Sequence, residues 1–510
     1  MRAFNTLSFL WVLPTVFAFS HPGLLVTDQD IARAKTKIAA EKEPWIGSWN
    51  KLISLEFSSA SYTNNAVSSI ARAENGELLW HDAAAAFNLA LRWKISGNDS
   101  YAAAASDILM AWASKLQALT GGGDDDYLTA GLQGYELANA AELLRDYAPF
   151  ADNGLSAVTS MMTTIFLPMN VDFLNHVLGS EHNVKHFFAN WELCNVASAM
   201  AIGVLADNRT AWDFAVDYFK NGVGNGAIGN TITNIVEEPG TGKPLGQGQE
   251  SGRDQGHSSL NFQLLGAIGQ QAWNQGEDLF AYNNSRILLG AEYFARYNLG
   301  YDVPFEPYTN GIVSYTTISS ASRGAIRPNW ELLYAHYVQI KGLDAPWTTK
   351  YLNNTLTFFG GFEGGAGSWG EGSGHYDGLG WGSLLYHLDE SDLDTLPSVP
   401  SAIETSTAVS STAVSSISTS AATSTALPNA STLSAADATL STSSIAPGTT
   451  TPTMTTPTTP YVSMQSSLPS TTELSTPVTG KPQTEHSRTG KVCPARKGRK
   501  HRHQKTRRHI

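Results

Sequence analysis

A short segment, Gly246 to His257, carries side chains whose types and spacing suit proton-transfer chemistry. It places Glu250, Arg253, Asp254 and His257 within eight residues of a chain that is only 15% charged. Helical spacing would align these four on one face, whereas Gly246, Gly248 and Gly252 favour a tight loop that leads into a helix. In either arrangement two acids, a permanent cation and an imidazole converge, as they would in a catalytic cleft.

The same cluster has a purely structural interpretation. Glu250, Arg253 and Asp254 would then form a solvated ion-pair network, with His257 as an ordinary surface histidine, because structural networks of this kind are common. The segment alone leaves both interpretations open.

A second segment combines an amide with an aromatic ring. The run Glu181-His-Asn-Val-Lys-His-Phe-Phe-Ala-Asn-Trp-Glu-Leu-Cys places Asn190 and Trp191 near the start of an apolar helix that continues through Ala201. An asparagine there can cap or pack, but its amide can also donate to a substrate carboxylate. The tryptophan ring can likewise pack against the apolar face of a sugar.

Tyrosines and arginines follow further along the chain. Tyr301 and Tyr308 fall in a loop interrupted by prolines, and Arg323 and Arg327 precede Pro328, which is predicted to be the first residue of a helix. Guanidinium groups at the start of a helix suit a carboxylate ligand. Packing for the tyrosines and surface salt bridges for the arginines are the alternatives.

The elements that must position these residues are predicted to be helices. Apolar residues recur at helical spacing through most of residues 80–359, and strand-like alternation is scarce. Helical hairpins without a strict repeat close a core most economically as an α/α toroid. The long connections at 221–230, 301–315 and 360–381 are predicted to line its cleft. The predicted helices are 83–95, 101–119, 132–147, 155–174, 187–205, 211–220, 257–275, 285–297, 328–342 and 345–359.

Composition divides the chain into four parts. Residues 1–20 have the layout of a secretory signal peptide, and residues 21–390 form the predicted catalytic domain. Residues 391–480 are rich in Ser, Thr and Pro and are predicted to be a disordered stalk. Residues 481–510 hold eleven Lys and Arg against Glu485, a basic tail that could contact wall polyanions or be merely solvated.

The same features predict the compartment. No later segment has the run of about 18 apolar residues that a membrane span needs. The C-terminal tail is not apolar, so a GPI anchor is not predicted. Cys194 and Cys493 do not make a disulfide framework. The expectation is a secreted, extracellular glycoprotein that could associate with the wall, since five glycosylation sequons are present, at Asn98, Asn208, Asn283, Asn353 and Asn429.

Taken in order, these segments resemble secreted polysaccharide lyases of the alginate lyase superfamily, with family 38 the nearest group. The matching motifs are Asn190-Trp191, Glu-Ser-Gly-Arg-Asp-Gln-Gly-His, Tyr-Asn-Leu-Gly-x-Asp-Val-Pro, Arg-Gly-x-x-Arg-Pro-x-Trp-Glu and the closing His-Tyr-Asp-Gly-Leu-Gly-Trp-Gly-Ser-Leu, over roughly residues 21–390. The resemblance implies an (α/α)7 toroid that cleaves alginate or β-1,4-glucuronan by β-elimination, without a cofactor.

The resemblance also implies roles for individual residues. Asn190 and an arginine would neutralise the uronate carboxylate, and His257 and a tyrosine would transfer protons. Tyr308 is the first choice, ahead of Tyr301 and Tyr315, and a catalytic tyrosinate would need an arginine such as Arg323 or Arg327 beside it. Glu250 and Asp254 would orient Arg253 and His257. The predicted catalytic residues are Asn190, His257, Tyr308 and Arg323, and the predicted substrate-binding residues are Trp191, Glu250, Arg253, Arg327 and Tyr301.

Two other functions fit parts of the sequence. A glycoside hydrolase on the same toroid would use two carboxyl groups among Glu192, Glu250, Asp254 and Glu331. A non-catalytic wall-binding protein would explain the stalk and the basic tail. No metal site is predicted, because the histidines and carboxylates lack ligand spacing, and a monomer is expected.

Overall fold

The computed structural model describes residues 18–176, 186–310 and 313–393. The predicted stalk and basic tail, most of the signal peptide, Cys493 and the Asn429 sequon lie outside these ranges. The described part belongs to one compact unit.

Helices account for most of the described chain. Seventeen α-helices occur in the described ranges, and a π-helical stretch follows α7 and another follows α14. The helices are α1 (Asp28–Ala39), α2 (Trp45–Ser54), α3 (Arg72–Ser96), α4 (Asp99–Lys115), α5 (Asp125–Leu143), α6 (Ala148–Asn153), α7 (Leu155–Met161), α8 (Leu167–Leu174), α9 (Ala189–Leu205), α10 (Arg209–Asn221), α11 (Ile228–Thr231), α12 (Gln255–Asn274), α13 (Tyr282–Asn298), α14 (Trp330–Tyr334), α15 (Pro346–Phe359), α16 (Gly382–Leu385) and α17 (Glu390–Leu393).

The helices pack in a closed ring. Helix α3 contacts α5, α5 contacts α9, α9 contacts α12, α12 contacts α14, α14 contacts α16, and α16 returns to α1 and α2 beside α3. Partner helices pack alongside this ring, with α4 on α3, α10 on α9 and α13 on α12. The predicted all-α class and the toroid of helical hairpins are therefore confirmed.

Hydrogen bonds between distant parts of the chain close the ring. The Trp381 indole N–H donates to Asn88 Oδ1 at 2.7 Å, and the Tyr386 hydroxyl donates to the Leu25 carbonyl at 3.0 Å. All four residues involved are buried, so these bonds satisfy polar groups that water cannot reach. The C-terminal part of the domain thereby completes the same core that the N-terminal part begins. Helix α17 extends this packing slightly past the predicted boundary at residue 390, because Asp392 pairs with Lys37 at 2.9 Å.

Three two-stranded sheets interrupt the helices in the described ranges. Strands β1 (Ser69–Ile70) and β2 (Ala118–Leu119) are parallel. Strands β3 (Ile232–Glu237) and β4 (Pro244–Gly248) form an antiparallel hairpin, and so do β5 (Tyr308–Thr309) and β6 (Ser314–Tyr315). Strand β4 ends just before Glu250, and β5 and β6 carry Tyr308 and Tyr315. Strands therefore carry residues that the sequence assigns to loops.

The helix boundaries differ from prediction in two informative places. Helix α12 begins at Gln255, so Glu250, Arg253 and Asp254 precede it in a turn and the interpretation of all four on one helical face is wrong. Helix α14 begins at Trp330 rather than Pro328, because Asn329 adopts a φ of 144° that no helix continues through. Helices α1 and α2 were not predicted at all.

One described stretch, Leu155–Leu174, is long and apolar enough to cross a membrane by length and composition alone. Of its residues, Phe166, Phe173 and Leu174 are buried.

The contact between α5 and α9 leaves no room for a larger side chain at Gly131. A Cβ added there would lie 2.3 Å from Cys194 Sγ and 2.9 Å from the backbone nitrogen of Asn195. We expect Gly131→Ala to lower the free energy of unfolding by about 1–3 kcal/mol through overpacking, measured by denaturant unfolding of the purified domain. Gly229→Ala, at an exposed site where an added Cβ meets nothing within 4 Å, is the matched control and should be close to neutral.

Candidate active site

One buried carboxylate connects two parts of the predicted site. Glu250 Oε1 accepts hydrogen bonds from the Asn190 backbone N–H at 2.9 Å and from its side-chain amide at 2.7 Å. Both side chains are buried, and Asn190 lies in the first turn of α9. Glu250 thus satisfies backbone and side-chain donors at the start of this helix and fixes the direction of the Asn190 amide.

The second oxygen of the same carboxylate holds Arg253. Glu250 Oε2 accepts from Arg253 Nη1 at 2.8 Å, and the guanidinium lies 4.0 Å from the centroid of the Phe188 ring. Arg253 is 24% exposed while Glu250 is fully buried. The arginine therefore keeps a charged face toward solvent, supported from behind by a carboxylate and from the side by an aromatic ring.

Asp254 orients His257. Its Oδ1 accepts the His257 backbone N–H at 2.8 Å, which caps α12, and its Oδ2 lies 2.6 Å from His257 Nδ1. Burial alone would raise the pKa of Asp254, but the hydrogen bonds from His257 and the charges of His257 and Arg253 outweigh it and hold that pKa below its usual range. His257 is 44% exposed, and its Nε2 has no hydrogen-bond partner among the described residues.

Two tyrosines lie opposite each other on the β5–β6 hairpin. Tyr308 pairs with Tyr315 in register. The Tyr308 hydroxyl accepts a hydrogen bond from Gln249 Nε2 at 3.1 Å and donates to Asn225 Oδ1 at 3.4 Å. Burial raises the pKa of Tyr308, and hydrogen bonds from neighbouring amides oppose this only in part.

Tyr315 is the tyrosine beside the arginine. Its side chain covers Gly252, where an added Cβ would come within 2.5 Å of the Tyr315 Cβ. Burial raises the pKa of Tyr315, the charge of Arg253 lowers it, and the charges of Glu250 and Asp254 raise it again. Both hairpin tyrosines thus border the Glu250 turn.

Trp191 follows Asn190 on α9 and is half-buried. Its ring stacks on Phe187, with centroids 5.2 Å apart, and on Phe173 at 6.2 Å. Phe187 and Phe173 support one side of the Trp191 ring, and part of the Trp191 side chain remains accessible to solvent.

Two predicted site residues lie elsewhere. The Arg323 guanidinium donates to the backbone carbonyls of Tyr297 at 2.8 Å and Tyr301 at 3.0 Å, so it caps the C-terminal end of α13. The Tyr301 ring packs against Trp347 on α15, with centroids 4.8 Å apart. These contacts place both side chains on the α13–α15 surface, although Tyr301 is still 50% exposed. The roles of Arg323 beside a tyrosinate and of Tyr301 on the substrate stay predictions.

Arg327 joins a different cluster, between α12 and the closing loop. Its Nε donates to Ser259 Oγ at 3.1 Å, and Nη1 donates to the Gly374 carbonyl and lies 3.6 Å from Asp377. Asp377 also receives Arg72 Nη2 at 3.2 Å. Arg327 is therefore near the α12 helix that carries His257, with its Nε and Nη1 already engaged by other groups.

Sequence reasoning missed Gln249, Asn225 and Phe188. Gln249 receives the Ala189 backbone N–H at 3.0 Å as well as contacting Tyr308. Its position beside Glu250 was visible, but an amide has no charge to single it out. Asn225 lies in the Gly-rich stretch Gly222-Val-Gly-Asn-Gly, whose composition was the one available signal.

No group of three or more metal-ligating side chains occurs in the described parts of the chain. The arrangement is instead an amide and a guanidinium held by one carboxylate, next to an imidazole and two phenols. Such a set can neutralise an anion and move protons.

Comparisons with known proteins point in the same direction. Residues 27–302 match the family model of alginate lyases, which is more than half of the chain. No curated protein matches this chain.

Several solved structures are similar to it. Alginate lyase A1-III from Sphingomonas species A1 has 13% sequence identity and a TM-score of 0.45, with 73% of this chain and 98% of that chain covered. A variant of alginate lyase A1-III complexed with tetrasaccharide has 12% identity and a TM-score of 0.46, over 73% of this chain and 97% of that one. An alginate lyase from Bacteroides ovatus has 13% identity and a TM-score of 0.37, over 54% and 83%.

The assignment rests on the family model and on the helical toroid described above. The chain belongs to the alginate lyase family and is a polysaccharide lyase.

Proposed function

We propose that this lyase cleaves a 1,4-linked polyuronate, either alginate or β-1,4-glucuronan, by β-elimination. The observation that supports this most is the Glu250 carboxylate, which holds Asn190 and Arg253 together beside the Asp254–His257 pair. The finer resemblance to family 38 and secretion of a glycosylated protein with a wall-contacting basic tail belong to the same proposal.

The chemistry requires charge neutralisation first. Removal of the C5 proton of a uronate adds negative charge to a group that already carries a carboxylate. Donors fixed at that carboxylate stabilise the enolate-like transition state more than the ground state. Asn190 and Arg253 are assigned this role. Glu250 fixes the Asn190 amide, and Glu250 and the Phe188 ring hold the Arg253 guanidinium.

His257 is assigned the base. The short contact between Nδ1 and Asp254 favours the tautomer with its proton on Nδ1, which leaves a lone pair on the exposed Nε2. Nε2 takes the C5 proton, the C4–C5 double bond forms, and the C4–O4 bond breaks.

Tyr308 is assigned the acid that protonates O4. Arg323 caps α13, so it is not the arginine that would make Tyr308 a tyrosinate. Burial raises the pKa of Tyr308, so the phenol keeps its proton at neutral pH and is suited to donate it. With His257 as base and Tyr308 as acid, no single tyrosine has to both accept the C5 proton and donate a proton to O4.

The carboxyl groups of a hydrolase do not fit the site as well. Glu192, Glu250 and Glu331 are fully buried, and Glu331 is bound to His387 and Ser383 near the end of the domain. Asp254 is committed to His257. A pair of carboxyl groups facing one substrate bond is therefore not formed by these four residues.

His257→Ala tests the mechanism and the reaction class together. Loss of the base should lower kcat by about 10²–10⁴-fold, followed as ultraviolet absorbance of the unsaturated uronate product on alginate and on glucuronan. Its thermal unfolding should match the wild type. Saturated products from the wild-type enzyme, or full activity of the variant, would contradict the proposal.

Arg253→Ala tests carboxylate recognition. Loss of a charged hydrogen bond worth about 1.5–3 kcal/mol should lower kcat/KM by roughly tenfold to a hundredfold, and added salt should raise the KM of the wild type by screening this charge. The control is Arg209→Ala, which removes an exposed arginine paired with Asp213 and should leave both parameters unchanged.

Tyr308→Phe and Tyr315→Phe separate the two hairpin tyrosines. Because the Tyr308 hydroxyl is the assigned proton donor, its loss should reduce kcat by about 10²-fold or more, while Tyr315→Phe should have a smaller effect. The rates are measured under saturating substrate. The reverse order would transfer the acid role to Tyr315, the phenol beside Arg253.

A further inference from the structure

Besides Glu250, a second buried carboxyl group, Glu192 on α9, contacts the loop Gly224–Gly226, which reaches Tyr308 through Asn225. Glu192 lies two residues after Asn190 and is fully buried. Its Oε2 accepts hydrogen bonds from the Tyr218 hydroxyl at 2.8 Å and from the Gly226 backbone N–H at 2.7 Å. The proposed mechanism gives this carboxyl no role.

The loop packs so closely on Glu192 that only glycine fits at two positions. A Cβ on Gly224 would lie 2.4 Å from both carboxyl oxygens, and a Cβ on Gly226 would lie 2.5 Å from the Glu192 Cβ. These two glycines flank Asn225. The position of Asn225 is thus set by direct contact of its neighbours with the Glu192 side chain.

Asn225 connects this loop to the site. Its Oδ1 accepts from the Tyr308 hydroxyl at 3.4 Å, and its Nδ2 donates to the Phe187 carbonyl at 2.7 Å, just before α9. The side chain is buried. It therefore links the Tyr308 phenol to the segment that carries Asn190.

We propose that Glu192 is a positioning residue, whose carboxyl holds the Gly224–Gly226 loop so that Asn225 orients the Tyr308 hydroxyl. This inference rests on the proposed function, in which Tyr308 donates the proton. Misplacement of a reacting group by about 1 Å can cost 10²-fold in rate, so a residue without substrate contact can have a large effect on kcat.

The ionisation of Glu192 gives an independent measurement. Burial raises its pKa to about 7, against hydrogen bonds from Gly226, Tyr218 and Asn225. Among the described residues, the titratable groups that face Glu192 are Tyr218 and, 3.1 Å from the Tyr218 hydroxyl, His176. Burial raises the pKa of Tyr218 and lowers the pKa of His176.

The raised pKa of Glu192 makes the free energy of unfolding depend on pH. Between pH 4.5 and about 7 the folded state keeps the Glu192 proton while the unfolded state has lost it. Stability must then fall as the pH rises through this window. Glu192→Gln cannot titrate, so this part of the fall should disappear in thermal unfolding, while its amide still accepts a hydrogen bond from the loop.

The decisive experiment is a double-mutant cycle on kcat in the full chain. Glu192→Ala should lower kcat by up to about a hundredfold, with KM little changed, and Glu192→Gln should retain most of the activity. In a Tyr308→Phe background, Glu192→Ala should cause no further loss, because the hydroxyl that it positions is gone. Glu363→Ala removes another fully buried carboxyl and should lower stability without changing kcat.

Equal losses in both backgrounds would show that Glu192 only stabilises the fold and would overturn this inference alone. Full activity of Tyr308→Phe would overturn the acid assignment and this inference with it. If Glu192→Ala does not fold, Tyr218→Phe takes its place in the cycle, because it removes one hydrogen-bond donor to the Glu192 carboxyl. A smaller loss of kcat and the same lack of additivity with Tyr308→Phe are then expected.

Discussion

The site depends on one buried carboxylate with two occupied oxygens. Glu250 holds the start of α9 through Asn190 and the turn before α12 through Arg253. A carboxyl group out of contact with water is costly unless its oxygens are satisfied, so these partners offset the burial of Glu250. Arg253, the arginine paired with this carboxyl, is also partly exposed to solvent. Structural and functional requirements therefore meet in the same ion pair.

Around the site, two glutamates are buried while an arginine and a histidine are partly exposed. The chain has a formal net charge of −12, yet the acids around the site, Glu192 and Glu250, are turned into the core while Arg253 and His257 face outward. Acidic residues act here as internal supports that direct backbone N–H groups and cations. The exposed Arg253 therefore sets the local potential at this surface more than the net charge does, because local potential depends on which charges are exposed and not on their sum.

Local sequence signals were sufficient for much of the fold and for part of the site. Periodic apolar residues predicted α9 and most of its partners, and the contacts of Glu250 with Arg253 and of Asp254 with His257 follow from their proximity in sequence. Long-range contacts were not predictable in this way. Arg323 reaches back to cap α13, and Asn225 meets Tyr308 across 83 residues, since only the closed ring determines which loops become neighbours. Asn329 shows the same limit locally, because its positive φ delays the helix that Pro328 suggested.

The closed ring has a consequence for how the protein is made. The bonds from Trp381 to Asn88 and from Tyr386 to Leu25 join residues from opposite ends of the domain, with sequence separations of 293 and 361. Translation delivers the chain at about 5–20 residues per second, so the first helices wait many seconds on the ribosome before their final neighbours exist. During that time the faces of α1 and α2 that α16 will cover remain open, and contacts so far apart in sequence form slowly. The nascent chain is therefore most exposed to aggregation just before the last helices emerge, which is the stage at which chaperones would protect it.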